Sequence, residues 1–142
     1  MRRTGFTLIE ILVCLAVLAM LLAVTAPPAF RWRDAAAVRA ARDELAAGLG
    51  WARMAAAAHG GATLLLDPVS GRYVVRAGAR LDPPVDLAGR YGVAIDPGTA
   101  APVAFRYDAL GIGRITSRTV RLRRGVAEAG LTVSAYGRYR RW

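Results

Sequence analysis

Three stretches of the chain differ in the period of their apolar residues. From 6 to 26 apolar side chains follow one another almost without a break, and Glu10 is the one charge among them. A helix rises ~1.5 Å per residue, so about 21 residues measure roughly 32 Å, enough to cross a bilayer core of about 30 Å. From about residue 30 the pattern turns amphipathic. Val38, Ala41, Leu45, Leu49, Ala52 and Ala56 step by three or four and form one stripe. Arg39, Asp43 and Gly50 fall on the other side, with Arg42 and Arg53 flanking the stripe. His59-Gly60-Gly61 is a stop signal. Pro27 and Pro28 stand where the apolar run ends and are expected to interrupt or kink the helix, because each lacks a backbone donor. Gly48 and Gly50 each cost about 1 kcal/mol relative to Ala in a helix, a cost that close packing would justify.

After Gly61 the period becomes two and turn residues recur. Residues 62–66 read as a strand, 67–71 as a turn and 72–76 as the hairpin partner. Residues 81–87 hold Pro83 and Pro84 and read as a loop or broken edge. Further strands are expected at 91–95, 103–107, 118–123 and 131–136. In the last two, Val120 and Leu122, then Leu131, Val133 and Ala135, alternate with polar residues. About six short strands with short connections imply mostly antiparallel pairing. The expected class is α+β. One long N-terminal helix, with a transmembrane half over 6–26 and an amphipathic half over 27–60, packs on a mostly antiparallel β-sheet domain over 61–142.

A carboxylate inside an apolar run is costly, about 2.5–3.5 kcal/mol at mid-membrane, so Glu10 calls for a neutralising partner. The residues Gly5-Phe6-Thr7-Leu8-Ile9-Glu10, behind Arg2 and Arg3, closely resemble the class III signal of type IV pilins and type II secretion pseudopilins. The resemblance implies removal of a leader, residues 1–5, by prepilin peptidase between Gly5 and Phe6, and N-methylation of Phe6. It also implies that Glu10 pairs with the N-terminal amine of a neighbouring subunit during assembly, which answers the energetic problem. A proline at the place of Pro27 marks a bend in such proteins. An ordinary secretory signal would put its cut after Val24-Thr25-Ala26, but Pro27 and Pro28 follow, and the apolar core is too long. A plain single-span anchor does not explain the order Gly-Phe-Thr-Leu-Ile-Glu.

The C-terminal part narrows the resemblance. Phe105 with Leu110-Gly111, Thr119-Val120-Arg121-Leu122, Leu131-Thr132-Val133-Ser134 and Gly137-Arg138-Tyr139-Arg140 together resemble the GspH/FimT-type domain. GspH is a minor pseudopilin of the type II secretion system, and FimT is its type IV pilus relative. The fold so implied is pilin-like. The partners implied are other major and minor pseudopilins, the prepilin peptidase, the inner-membrane assembly platform and inner-membrane lipid.

Charge leaves two functions open. The chain has 20 basic residues, all arginine, against 10 acidic ones, a net charge of +10. Such a surface attracts nucleic acid, anionic lipid headgroups or acidic proteins. A general bias towards arginine and alanine accounts for it equally well. Arg138, Arg140 and Arg141 cluster at the end with Tyr136, Tyr139 and Trp142 interleaved. Arginine suits phosphate through its planar fork of donors, and aromatic rings stack on exposed bases. In FimT-like proteins a terminal Gly-Arg-x-Arg motif is associated with DNA binding during natural transformation. The same ending recurs in secretion pseudopilins, and charged edge strands are a common protection against aggregation.

No catalytic constellation emerges. His59, the sole histidine, sits at a helix end, and no serine has the surroundings of a nucleophile elbow. Cys14 is the only cysteine, so no internal disulfide or cysteine zinc site can form. Neither a metal nor a cofactor is implied. Arg2 and Arg3 before the apolar run favour a cytoplasmic N-terminus and a periplasmic domain. The leading reading is a minor pseudopilin of the secretion pseudopilus that helps export folded proteins. The alternative is a DNA-binding minor pilin, and a membrane-anchored enzyme or receptor is remote. Cleavage after Gly5 predicts a mature chain starting at N-methylated Phe6, read by mass spectrometry of membrane-extracted protein. A terminus at Pro27, or an intact Met1, would refute it.

Overall fold

The structure is a computed structural model that describes residues 7–114 and 116–142, without the side chains of residues 24–29. Helix α1 runs Leu8–His59 and carries on through Pro27 and Pro28. The expected interruption does not end the element. A proline withdraws one donor from the ladder, and the helix continues beyond it. The chain divides into two compact units, Met1–Arg33 and Asp34–Trp142.

In the first unit the described side chains, residues 7–23 and 30–33, are exposed. Of the apolar run read from the sequence, Phe6 and the side chains of residues 24–26 lie outside the described residues. Among the described residues no helix is long and apolar enough to cross a membrane.

In the second unit the expected stripe is the buried one. Val38, Ala41, Leu45, Leu49, Ala52 and Ala56 are all sealed from solvent, joined by Ala46 and Ala55. They share one hydrophobic core with two antiparallel sheets. The first sheet holds β1 (Gly61–Asp67), β2 (Arg72–Ala77), β3 (Arg80–Leu81), β4 (Val85–Asp86) and β6 (Val103–Asp108). Its order is β3-β2-β1-β6, with β4 also paired to β2. The second holds β5 (Ala94–Asp96), β7 (Arg118–Arg124), β8 (Ala127–Val133) and β9 (Tyr139–Arg141), in the order β5-β7-β8-β9. Strand alternation decides what enters the core. Leu64 and Leu66 of β1 face Val75 and Tyr73 of β2, while Val120 and Leu122 of β7 face Leu131 and Ala129 of β8.

Helix α2 (Leu87–Tyr91) was not foreseen. It lies across the expected broken edge at 81–87 and the expected strand at 91–95. Asp86 caps its start by accepting from the Gly89 amide at 2.7 Å, and Gly92 ends it at φ +64°. The strand shrinks to Ala94–Asp96 because Gly92 must first turn the chain in the left-handed region. The last expected strand, 131–136, is also shifted. It runs Ala127–Val133, and Ala135 is an exposed turn residue because the Gly137 amide closes a turn onto the Ser134 carbonyl at 2.9 Å.

Gly48 and Gly50 separate cleanly. A Cβ at Gly48 would sit 2.7 Å from the Tyr73 ring, so the glycine lets that ring lie against the helix backbone. The Tyr73 hydroxyl donates to the Glu44 carbonyl at 3.4 Å. A Cβ at Gly50 would meet nothing nearer than the Tyr139 hydroxyl at 3.9 Å. Close packing therefore accounts for the first glycine and not for the second. Gly50→Ala is expected to stabilise the domain by about 0.5–1 kcal/mol through helix propensity. Gly48→Ala is expected to destabilise it by roughly 1–3 kcal/mol of overpacking, less that same gain. Denaturant unfolding of the two variants checks the opposite signs.

Candidate functional site

Two places concern function, the start of α1 and the C-terminal face of the second sheet. Gly5 and Phe6 lie outside the described residues. Glu10 is in the first turn of α1 and its carboxylate is already engaged locally. The Thr7 amide and the Thr7 hydroxyl both donate to Glu10 Oε2 at 2.8 Å, and the Glu10 amide approaches Thr7 Oγ1 at 3.4 Å. This reciprocal arrangement is a capping box, the Thr-x-x-Glu spacing closing on itself at a helix start. Ile11, Cys14, Leu15 and Leu18 continue from Glu10 along one side of the helix. Glu10 is exposed, so its charge is offered at the head of an apolar strip.

At the other end the structure turns the arginine tail into strand β9. It pairs with β8 in the register Val133↔Tyr139, Thr132↔Arg140 and Leu131↔Arg141. The turn into it explains the glycine of Gly-Arg-x-Arg. Gly137 has φ +79°, and a Cβ there would strike the Tyr107 ring at 2.5 Å. No other residue could hold that backbone against that ring. The Ser134 amide donates to the Arg138 carbonyl at 2.7 Å, and Ser134 Oγ accepts from the Arg138 amide at 3.2 Å. Tyr107 beneath the turn is buried, and burial pushes its phenol up to about 12.

The three tail arginines part company here. Arg141 lies opposite buried Leu131, and its guanidinium reaches Asp43 of α1 at 3.4 Å. Arg42 pairs with the same carboxylate at 3.0 Å and donates to the Trp142 carbonyl at 3.2 Å. Arg141 and Trp142 thus stitch β9 to the helix. Arg138 and Arg140 are exposed, and neither guanidinium has an ion-pair partner among the described residues. The outer surface of β7 carries Arg121 and Arg123, which sequence reading had not joined to the tail. The alternation with Val120 and Leu122 was the signal that points them outward.

Other charges tie elements together. Arg124 pairs with Asp34 of α1 at 2.9 Å and donates to the Tyr91 carbonyl at the end of α2. Arg90 pairs with Glu44 at 2.6 Å, and the Tyr91 hydroxyl donates to the same carboxylate. Among the described residues no three His, Cys, Asp or Glu side chains gather as a metal-binding group.

One long N-terminal helix packed on antiparallel sheets is the pilin fold. Residues 1–26 match the prokaryotic N-terminal methylation motif. The fold is similar to that of the type IV minor pilin FimU of Pseudomonas aeruginosa, seen in two crystal forms. One form matches with a TM-score of 0.60 and 17% identity over 74% of this chain and 87% of FimU. The other matches with a TM-score of 0.57 and 18% identity over 73% and 91%. No curated protein matches the chain. The chain thus joins a prepilin-type N-terminal methylation motif to a type IV minor-pilin fold.

Asp43→Ala is expected to loosen β9 while costing the domain less than about 1 kcal/mol, because the ion pairs are half exposed. Faster hydrogen exchange at the Gly130 and Trp142 amides, with near-unchanged unfolding, would be the observed result.

Proposed function

We propose that the chain is a membrane-anchored minor pseudopilin of a type II secretion system, a structural subunit at the tip or start of a periplasmic pseudopilus. Residues 6–26 cross the inner membrane with the N-terminus cytoplasmic, and the domain lies in the periplasm. Prepilin peptidase removes residues 1–5 and Phe6 is methylated. The observation that carries the reading is Glu10, an exposed carboxylate at the head of an apolar strip, within a segment matching the N-terminal methylation motif. Unpaired in lipid it is costly, whereas the new amine of a neighbouring subunit neutralises it. The stitching of Arg141 to Asp43 also supports a mainly architectural tail. Partners follow from the same reading, namely other pseudopilins, the peptidase, the assembly platform and inner-membrane lipid. Glu10→Ala is expected to leave folding of the domain unchanged and to abolish co-purification with other pseudopilins. Unaltered co-purification would count against charge pairing.

A second reading is favoured by the exposed guanidinium groups of Arg138 and Arg140, which have no ion-pair partner among the described residues, and makes the chain a DNA-capturing minor pilin. FimU, by its name a type IV minor pilin, shares the fold and leaves both assemblies possible. DNA binding through these groups releases counterions, so log affinity falls with log salt by about 0.9 per phosphate neutralised. Changing Arg138, Arg140 and Arg141 to Gln is then expected to flatten the slope by about two rather than three, because Arg141 is engaged with Asp43. An unchanged slope with intact secretion would keep the first reading.

A further inference from the structure

The outer face of the second sheet carries an aromatic plate formed by Trp142, one of the rings interleaved with the tail arginines. Trp142 pairs through its backbone with Gly130, donating to and accepting from it at 3.0 Å. Its ring lies on Gly130, where a Cβ would meet ring atoms at 2.1 to 2.6 Å. The indole N–H reaches Thr132 Oγ1 at 3.4 Å. One ring face is thus seated on the sheet, and the residue remains 49% exposed. The seat requires glycine, because any side chain at position 130 would lift the ring.

Register fixes the neighbours. Arg140 is opposite Thr132 and Arg121 is opposite Gly130, so both rise from the same face as the ring. Arg123 follows one step further along β7 and is held by Glu128 at 2.8 Å. Arg121 is 3.9 Å from the same carboxylate, a loose contact. Glu128 is therefore largely committed to Arg123, leaving Arg121 and Arg140 as positive groups beside an open π-face.

We propose that this face binds single-stranded nucleic acid, Trp142 stacking on an unpaired base while Arg121 and Arg140 hold the flanking phosphates. The proposal rests on the second reading and deepens it. An aromatic ring seated flat beside paired guanidiniums fits a polymer that alternates planar bases with anionic links. Stacking is indifferent to base identity, since every base has a π-face. A duplex hides its bases in the stack and would meet only the arginines.

The test uses the full chain in detergent micelles with a fluorescent oligo(dT) of about 16 nucleotides, a duplex of equal length and an abasic strand of equal charge. Trp142→Leu, which keeps an apolar cover on Gly130, is expected to weaken oligo(dT) binding about tenfold and duplex binding less than about twofold. Trp142→Phe should retain most of the single-strand affinity, and the abasic strand should bind wild type as weakly as oligo(dT) binds Trp142→Leu. Arg121→Gln and Arg140→Gln should each lower the single-strand salt slope by about 0.7. Equal losses for strand and duplex in Trp142→Leu, no loss at all, or equal binding of polyglutamate would overturn the proposal. Duplex binding that depends on Arg138 would then leave the DNA-capture reading standing. A wild-type chain that binds neither probe would end both.

Discussion

A helix that serves as a wall for two sheets must offer a stripe with almost no relief. Between Val38 and Ala56 that demand is met by alanines at 41, 46, 52, 55 and 56 around Leu45 and Leu49, with Gly48 where the Tyr73 ring presses closest. Small residues let sheet side chains such as Leu64, Leu66, Phe105, Val120 and Leu131 supply the volume of the core. A larger residue at Gly48 or Ala52 would push against strands held by their own ladders, so the remaining architecture depends on this smooth surface. The polar ties at its margin act after the stripe is buried. Asp34 with Arg124, Glu44 with Arg90 and Asp43 with Arg141 each bind a different element to the same helix. Each pair is partly exposed and worth little alone, but together they fix where the short elements α2 and β9 lie.

The long-range order was legible where periodicity was sustained. The stripe of α1, the first hairpin and the alternation of β7 follow from spacing that survives folding unchanged. What escaped was decided by single residues acting locally. Asp86 and Gly92 cap a five-residue helix too short to show a period, and its Leu87 is buried as one anchor rather than as part of a stripe. Strand β8 begins four residues earlier than the apolar alternation suggests, because Ala127, Glu128, Ala129 and Gly130 have weak strand propensity and are recruited by pairing with β7. The prolines at 27 and 28 mark a change of composition, not the end of the helix.

The candidate sites were legible to different degrees. The signal ending in Glu10 was legible, but the capping box that Thr7 closes on it was seen only in the structure, and both residues belong to the methylation motif. The tail motif was visible, but its division of labour was not, because Asp43 lies 98 residues away in sequence from Arg141. Gly137 and Gly130 owe their presence to contacts with Tyr107 and Trp142 that only the fold brings about. Three residues long and bearing arginines, β9 is also a guarded sheet edge.

The central claim is that the chain assembles through the apolar strip headed by Glu10. It is tested most directly by placing a photo-reactive side chain at Leu18 in the full-length protein in cells and identifying the adducts by mass spectrometry. The account predicts adducts with other subunits that carry the same N-terminal methylation motif, and their loss in Glu10→Ala. Adducts with lipid alone, or subunit adducts that persist unchanged without Glu10, would contradict it.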